Sequence, residues 1–197
     1  MAFVFSSVYC RLFLHVRFVG EERLQKEKGA FLLYGNHTQP VGDVFNPALA
    51  CFPKRIYTVV SPANMHLPFI GRLIRPLGGL PLPCSISGMK KFNLAIKQRF
   101  EEGHPIVIYP EAHLWDYYTG IRPFSSDAFA YATKLDASVY CFTTTYQKRK
   151  LGKTPRITVY IDGPFYSDAD GRHNRANDLR DKVFEQMSER AKKSNYE

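Results

Sequence analysis

Short apolar runs alternate along this chain with longer stretches whose apolar positions recur at helical spacing. Residues 30–36 (AFLLYGN), 55–62 (RIYTVVSP), 105–111 (PIVIYPE), 138–147 (SVYCFTTTYQ) and 156–164 (RITVYIDGP) are dense in β-branched and aromatic residues. Most of these runs stop at Gly, Pro, Asn or an acid, which predicts buried strands. Asp43 and the VFNPALACF after it predict a helix with Asp43 near its N-cap. Residues 87–103 space Met89, Phe92, Leu94, Ala95, Ile96 and Phe100 as a helix before a Gly stop, and 125–137 also reads as helical. Residues 177–194 predict a closing amphipathic helix, 71–83 a helical turn running into a short strand, and 21–29 (EERLQKEKG) a charged connection.

The first 18 residues, MAFVFSSVYCRLFLHVRF, are apolar and aromatic but interrupted by Arg11, His15 and Arg17. They are too broken for a spanning helix and lack the basic leader and small-residue cleavage site of a signal peptide. An amphipathic helix over 1–18 is expected, lying either in a membrane interface or on the domain's own core. Strands alternating with crossover-length helices predict an α/β class over residues 1–197, a single domain with a largely parallel or mixed central sheet flanked by helices. In such sheets ligands gather where strands end, which puts the turns after 30–36 and 105–111 at one edge.

Composition changes this reading in one respect. Hydrophobic residues at 45% and charged residues at 23% are ordinary, but 27 Lys+Arg face 18 Asp+Glu, a formal charge of +9. That excess suits polyanions: nucleic acid, anionic lipid headgroups, coenzyme A or an acidic carrier protein. The basic residues are scattered and form no recognition helix, so no nucleic acid is expected. Cys10, Cys51, Cys84 and Cys141 form no CxxC pair and read as reduced thiols in a cytosolic protein. No GxSxG, HExxH, GxxxxGK[ST] or GxGxxG occurs, which weakens serine hydrolase, zinc protease and nucleotide-binding readings. DADGRHNRAND lacks calcium-loop spacing, so no metal is expected.

His37 has the most distinctive surroundings of the histidines. It follows an apolar strand, sits beside Asn36, and meets a turn containing Pro40 and Gly42 that can fold Asp43 back. A carboxylate on one ring nitrogen fixes the tautomer and frees the other nitrogen to take a proton from a hydroxyl or thiol. The alternative is a turn histidine and a capping aspartate, and the two roles can coexist. Glu111 closes its strand through Pro110, and His113, Trp115, Tyr117 and Tyr118 follow in a loop whose aromatic residues could line an apolar slot.

The order of these segments resembles the glycerolipid acyltransferase family, the lysophosphatidic acid acyltransferase or PlsC type. NHTQPVGD (36–43) is similar to that family's first motif, LPFIGRLIRPLGGLPLP (67–83) to its second, and IYPEAHLW (108–115) to its third, with 123–146 resembling the helix and strand that follow. The resemblance covers about residues 8 to 165 and implies His37 as general base and Asp43 as its orienting acid. The implied reaction carries a fatty acyl chain from acyl-CoA or acyl-carrier protein, as co-substrate and without other cofactor, to a hydroxyl of a (phospho)glycerolipid-like acceptor such as 1-acylglycerol-3-phosphate. It also implies phospholipid biosynthesis by a peripheral protein on the cytoplasmic face of the cell membrane, an anionic surface.

Three departures stand out. Five residues separate His37 from Asp43 where the family has four; Ala112, His113 and Leu114 replace Gly-Thr-Arg; and Cys84 or a neighbour stands in place of the second motif's arginine. Glu111, His113 and Trp115 remain expected substrate contacts, with Arg75 and Arg122 as candidates to replace the missing arginines. The extra residue also leaves open a non-catalytic lipid-binding module that inherited the fold.

Overall fold

A computed structural model describes residues 16–66, 70–149, 152 and 154–196. In chain order its elements are β1 (Val16–Val19), α1 (Glu22–Lys26), β2 (Phe31–Gly35), α2 (Gly42–Ala50), β3 (Tyr57–Val60), α3 (Ile70–Ile74), β4 (Gly79–Pro81), α4 (Ile86–Glu101), β5 (Ile106–Ile108), α5 (Ala130–Leu135), β6 (Ser138–Gln147), β7 (Arg156–Phe165) and α6 (Arg172–Ala191). The seven strands form one mixed sheet in the order β1-β7-β6-β2-β5-β3-β4. Strands β2 to β6 run parallel to their neighbours, β7 runs antiparallel to β6, and β1 is parallel to β7.

β2 is buried along its whole length, as a central parallel strand covered on both faces requires. Its side chains alternate between two cores. Phe31 and Leu33 join Leu49, Ala50, Tyr140 and Phe142 on the α2 face. Leu32 and Tyr34 join Phe92, Ile96 and Phe129 on the other, where α6 adds Leu179, Val183 and Met187 at helical spacing. Ser85 caps α4 by accepting the Gly88 amide at 3.1 Å, so this helix starts where its side-chain cap stands.

Because β2 and β5 are parallel, the turns carrying His37 and Glu111 leave the sheet at the same edge. β1 enters there too, since Val16 pairs with Ile157, itself opposite Tyr146 near the end of β6.

The largely parallel or mixed α/β expectation holds, while several local expectations change. Of the helix expected over 1–18, residues 1–15 lie outside the described residues, as does Cys10, and Val16–Phe18 belong to a strand. Non-local pairing with β7 decides this, with Val16 inside the core. The charged connection of 21–29 contains α1, fixed by the fully buried Leu24. The closing helix begins at Arg172 and ends at Ala191, before 192–194. Its end is tied back to β6, where the Asn195 amide donates to the Tyr146 carbonyl at 3.0 Å and the Lys148 amide to Asn195 Oδ1 at 2.8 Å.

Gly35 ends β2 against the Phe142 ring, and a Cβ there would stand 2.1 Å from the ring's Cζ. Gly35→Ala is therefore expected to cost about 1–3 kcal/mol in chemical denaturation. Wild-type stability would mean that Phe142 yields freely.

Candidate active site

Beyond Gly35 the strand ladder is continued by a side chain. Asn36 Nδ2 donates to the Thr144 carbonyl at 3.0 Å, and the Thr144 amide donates to Asn36 Oδ1 at 2.8 Å. This buried two-way clamp on β6 fixes the point at which the chain leaves the sheet, and His37 is the next residue. Thr38 Oγ1 and the Tyr146 hydroxyl, 2.8 Å apart, form a second tie to β6.

The five-residue spacing closes. His37 Nδ1 lies 2.8 Å from Asp43 Oδ2, and the same oxygen accepts the amides of Thr38 and Gln39, each at 3.0 Å. Gln39 turns inward, where its Oε1 accepts Asn46 Nδ2 at 2.8 Å. It occupies the space a side chain at Gly42 would need, since a Cβ there would stand 2.0 Å from Gln39 Oε1. The extra residue is thus absorbed by tucking one side chain under a glycine.

Asp43 lies near the N-cap of α2, as expected, in the first turn of the helix. The capping position is Val41, with no side-chain cap bond, and the Asp43 carboxylate faces the loop before the helix.

Burial pushes the Asp43 carboxyl above its ordinary value, against the opposing pull of His37 and the Gln39 and Thr38 amides. A group with a raised folded pKa contributes stability that is complete below its unfolded value and is lost as pH rises through the folded one. Ionised Asp43 is therefore a stability cost at neutral pH, and its negative charge stands next to a ring that can become cationic.

Nδ1 is engaged, so Nε2 is the nitrogen available for proton transfer, on a side chain 26% exposed. Tyr109 stacks on the imidazole, centroids 4.6 Å apart at 28°, and its hydroxyl donates to the Asp43 carbonyl at 2.5 Å.

Glu111 does not face solvent. Its carboxylate accepts the His37 amide at 3.0 Å through Oε2, and the Arg122 amide at 2.9 Å through Oε1; Arg122 Nη2 donates to Oε2 at 2.8 Å. Arg122 also donates to the His113 carbonyl and lies 4.8 Å over the Trp115 ring. The loop after β5 is stitched to the histidine turn, with the Trp115 amide on the His37 carbonyl at 3.1 Å and the Tyr117 amide on that of Thr38 at 2.8 Å. Leu114, Trp115, Tyr117 and Tyr118 are exposed here, as are Val41 and Val44 around the start of α2, so the histidine opens into an apolar collar.

His37, Asp43, Glu111, Arg122 and Trp115 are therefore brought together. His113 is exposed beside them, its amide bonded to the Glu111 carbonyl. Arg75 stands apart: it precedes β4 at the opposite end of the sheet, where Arg55 donates to the neighbouring Pro76 carbonyl at 3.2 Å. Sequence reasoning passed over Tyr109, although alternation along PIVIYPE sets it on the same face as the buried Val107.

A family model described as Acyltransferase matches residues 15–145. The search of curated proteins returns no match. Among solved structures, the fold is similar to that of the 1-acyl-sn-glycerophosphate (LPA) acyltransferase PlsC from Thermotoga maritima, with a TM-score of 0.69 and 16% identity over 96% of this chain and 76% of that one. At that identity the likeness speaks for the fold.

His37→Ala is expected to lower turnover by about 10²–10⁴ with little change in thermal stability, as for a lost general base at a partly open position. Asp43→Asn is expected to lower turnover as well while keeping stability at pH 7 within about 1 kcal/mol, because it removes a desolvated charge. Parallel turnover and melting measurements check both. Near-wild-type turnover of His37→Ala would refute the base assignment.

Proposed function

This chain belongs to the acyltransferase family, and from that premise we propose that it moves a fatty acyl chain from a thioester, acyl-CoA or acyl-carrier protein, to the hydroxyl of a lipid acceptor. The observation that carries the reading is the His37–Asp43 pair at 2.8 Å, opening into an exposed apolar collar. The acceptor hydroxyl loses its proton to His37 Nε2 as its oxygen bonds the thioester carbonyl carbon. The C–S bond then breaks, and the leaving thiolate takes the proton from His37. Asp43 offsets the positive charge the ring carries in between.

The glycerolipid reading includes 1-acylglycerol-3-phosphate, but the arginines argue for an acceptor without a phosphomonoester at this site. A phosphomonoester is best held by free guanidinium forks. Arg122 is committed to Glu111 and the His113 carbonyl, and Arg75 lies at the far end of the sheet. A neutral hydroxylated or amphipathic headgroup suits the collar of Trp115 and Tyr117, with His113 at its rim.

The same edge suits an anionic membrane, as a peripheral protein on the inner face of the cell membrane would require. Exposed Arg17, Lys148 and Arg156 lie at the strand ends that flank the collar, and β1 starts at that edge with Val16. No helix of the described residues is long and apolar enough to cross a membrane.

Release of free thiol from an acyl thioester, measured with and without lipid acceptors, tests the activity. Acceptor-dependent release is expected, and its absence with every thioester would count against transfer. With one donor, an uncharged monoacylglycerol is expected to outperform 1-acylglycerol-3-phosphate. The reverse preference, lost in Arg122→Ala, would show that Arg122 holds a phosphate. Binding to anionic vesicles should weaken with salt, because screening confines surface attraction to about 8 Å at physiological ionic strength. Equal affinity for neutral vesicles would contradict an electrostatic contribution.

A further inference from the structure

Tyr109, within the 108–115 segment, takes no part in the proposed proton transfer, yet it touches both His37 and Asp43. Its ring lies nearly parallel to the His37 imidazole, 4.6 Å away at 28°, and so restricts rotation of the base about its own axis. Its hydroxyl, 2.5 Å from the Asp43 carbonyl, ties the end of β5 to the first turn of α2, the turn from which the carboxylate reaches back. Burial pushes this phenol well above its ordinary value, so the group remains a donor across any working pH. Phe142 packs edge-on against the same ring, with centroids 5.7 Å apart.

The His37–Asp43 loop carries five intervening residues, and its far end is held by one carboxylate oxygen and a tucked Gln39. The near end of the loop is tied to β6 through Asn36 and Thr38 and to the loop after β5 through Glu111, Trp115 and Tyr117. Tyr109 adds a tie from β5 to the far end, at the Asp43 turn. We propose that Tyr109 is the positioning residue of this site, holding the imidazole plane with its ring and the Asp43 turn with its hydroxyl so that Nε2 keeps one direction. A phenylalanine at 109 would supply the first function and not the second, so the two can be separated. The inference rests on His37 being the base.

The test compares Tyr109→Phe and Tyr109→Leu with wild type in thiol-release kinetics, with His37→Ala as reference, and records the downfield proton resonance of the His37 Nδ1–H in each folded variant. Tyr109→Phe is expected to lower kcat about 3- to 10-fold at unchanged KM for the thioester, and to broaden or shift the Nδ1–H resonance. Tyr109→Leu is expected to lower kcat further, so that Phe partly rescues Leu. Unchanged kcat and resonance in Tyr109→Phe would overturn the proposal, even if its melting temperature fell. Should Tyr109→Leu not fold, the Phe variant alone decides. Loss of activity in His37→Ala alongside a wild-type Tyr109→Phe sinks only the positioning role, whereas an active His37→Ala sinks both it and the base assignment.

Discussion

One oxygen of one buried carboxylate organises the functional edge of this protein. Asp43 Oδ2 gathers the His37 ring and the amides of Thr38 and Gln39, drawing a seven-residue stretch into a closed loop. Burying an ionised carboxylate is expensive unless its lone pairs are used, and here three donors converge on one atom. The residual cost appears as the raised pKa of Asp43, so the loop is held in place at some expense to stability. In the proposed transfer, that negative charge, desolvated and close, would offset the positive charge that develops on His37.

The second anion of the site, Glu111, has a different task. Its side chain is fully buried, and it joins the His37 amide to Arg122, so the turn after β2 and the loop after β5 share one carboxylate. Aromatic residues of that loop are thereby presented outward around the histidine, while the Glu111 carboxylate faces inward. On the proposed reading, chemistry and lipid contact would be separated by only a few residues along 109–118.

Much of the fold was legible because buried strands read as continuous apolar runs. β2, β3, β5 and β6 all lie inside the segments read as strands, and β7 runs one residue past its segment, to Phe165. Features set by distant partners were not legible. Val16–Val19 is a strand because β7 pairs with it from 141 residues along the chain, and α1 exists because Leu24 alone finds the core. At the site, the spacing of His37 and Asp43 raised their pairing as a possibility. It could not show that Gln39 would fold beneath Gly42 to make room for an extra residue. Arg122 stood as one candidate to replace a missing arginine, since nothing local reveals that Glu111, 11 residues earlier, already holds it. Tyr109 was passed over because its importance lies in which two groups it touches.

The central claim is a single direct transfer in which His37 moves a proton and no protein atom carries the acyl group. Intact-protein mass spectrometry during single turnover of an acyl thioester, with the chain in molar excess, tests it most directly. The account predicts an unmodified protein mass at every time point, with thiol release rising only when a lipid acceptor is present. A stoichiometric acyl adduct on the chain that forms without acceptor and is consumed when acceptor is added would contradict it.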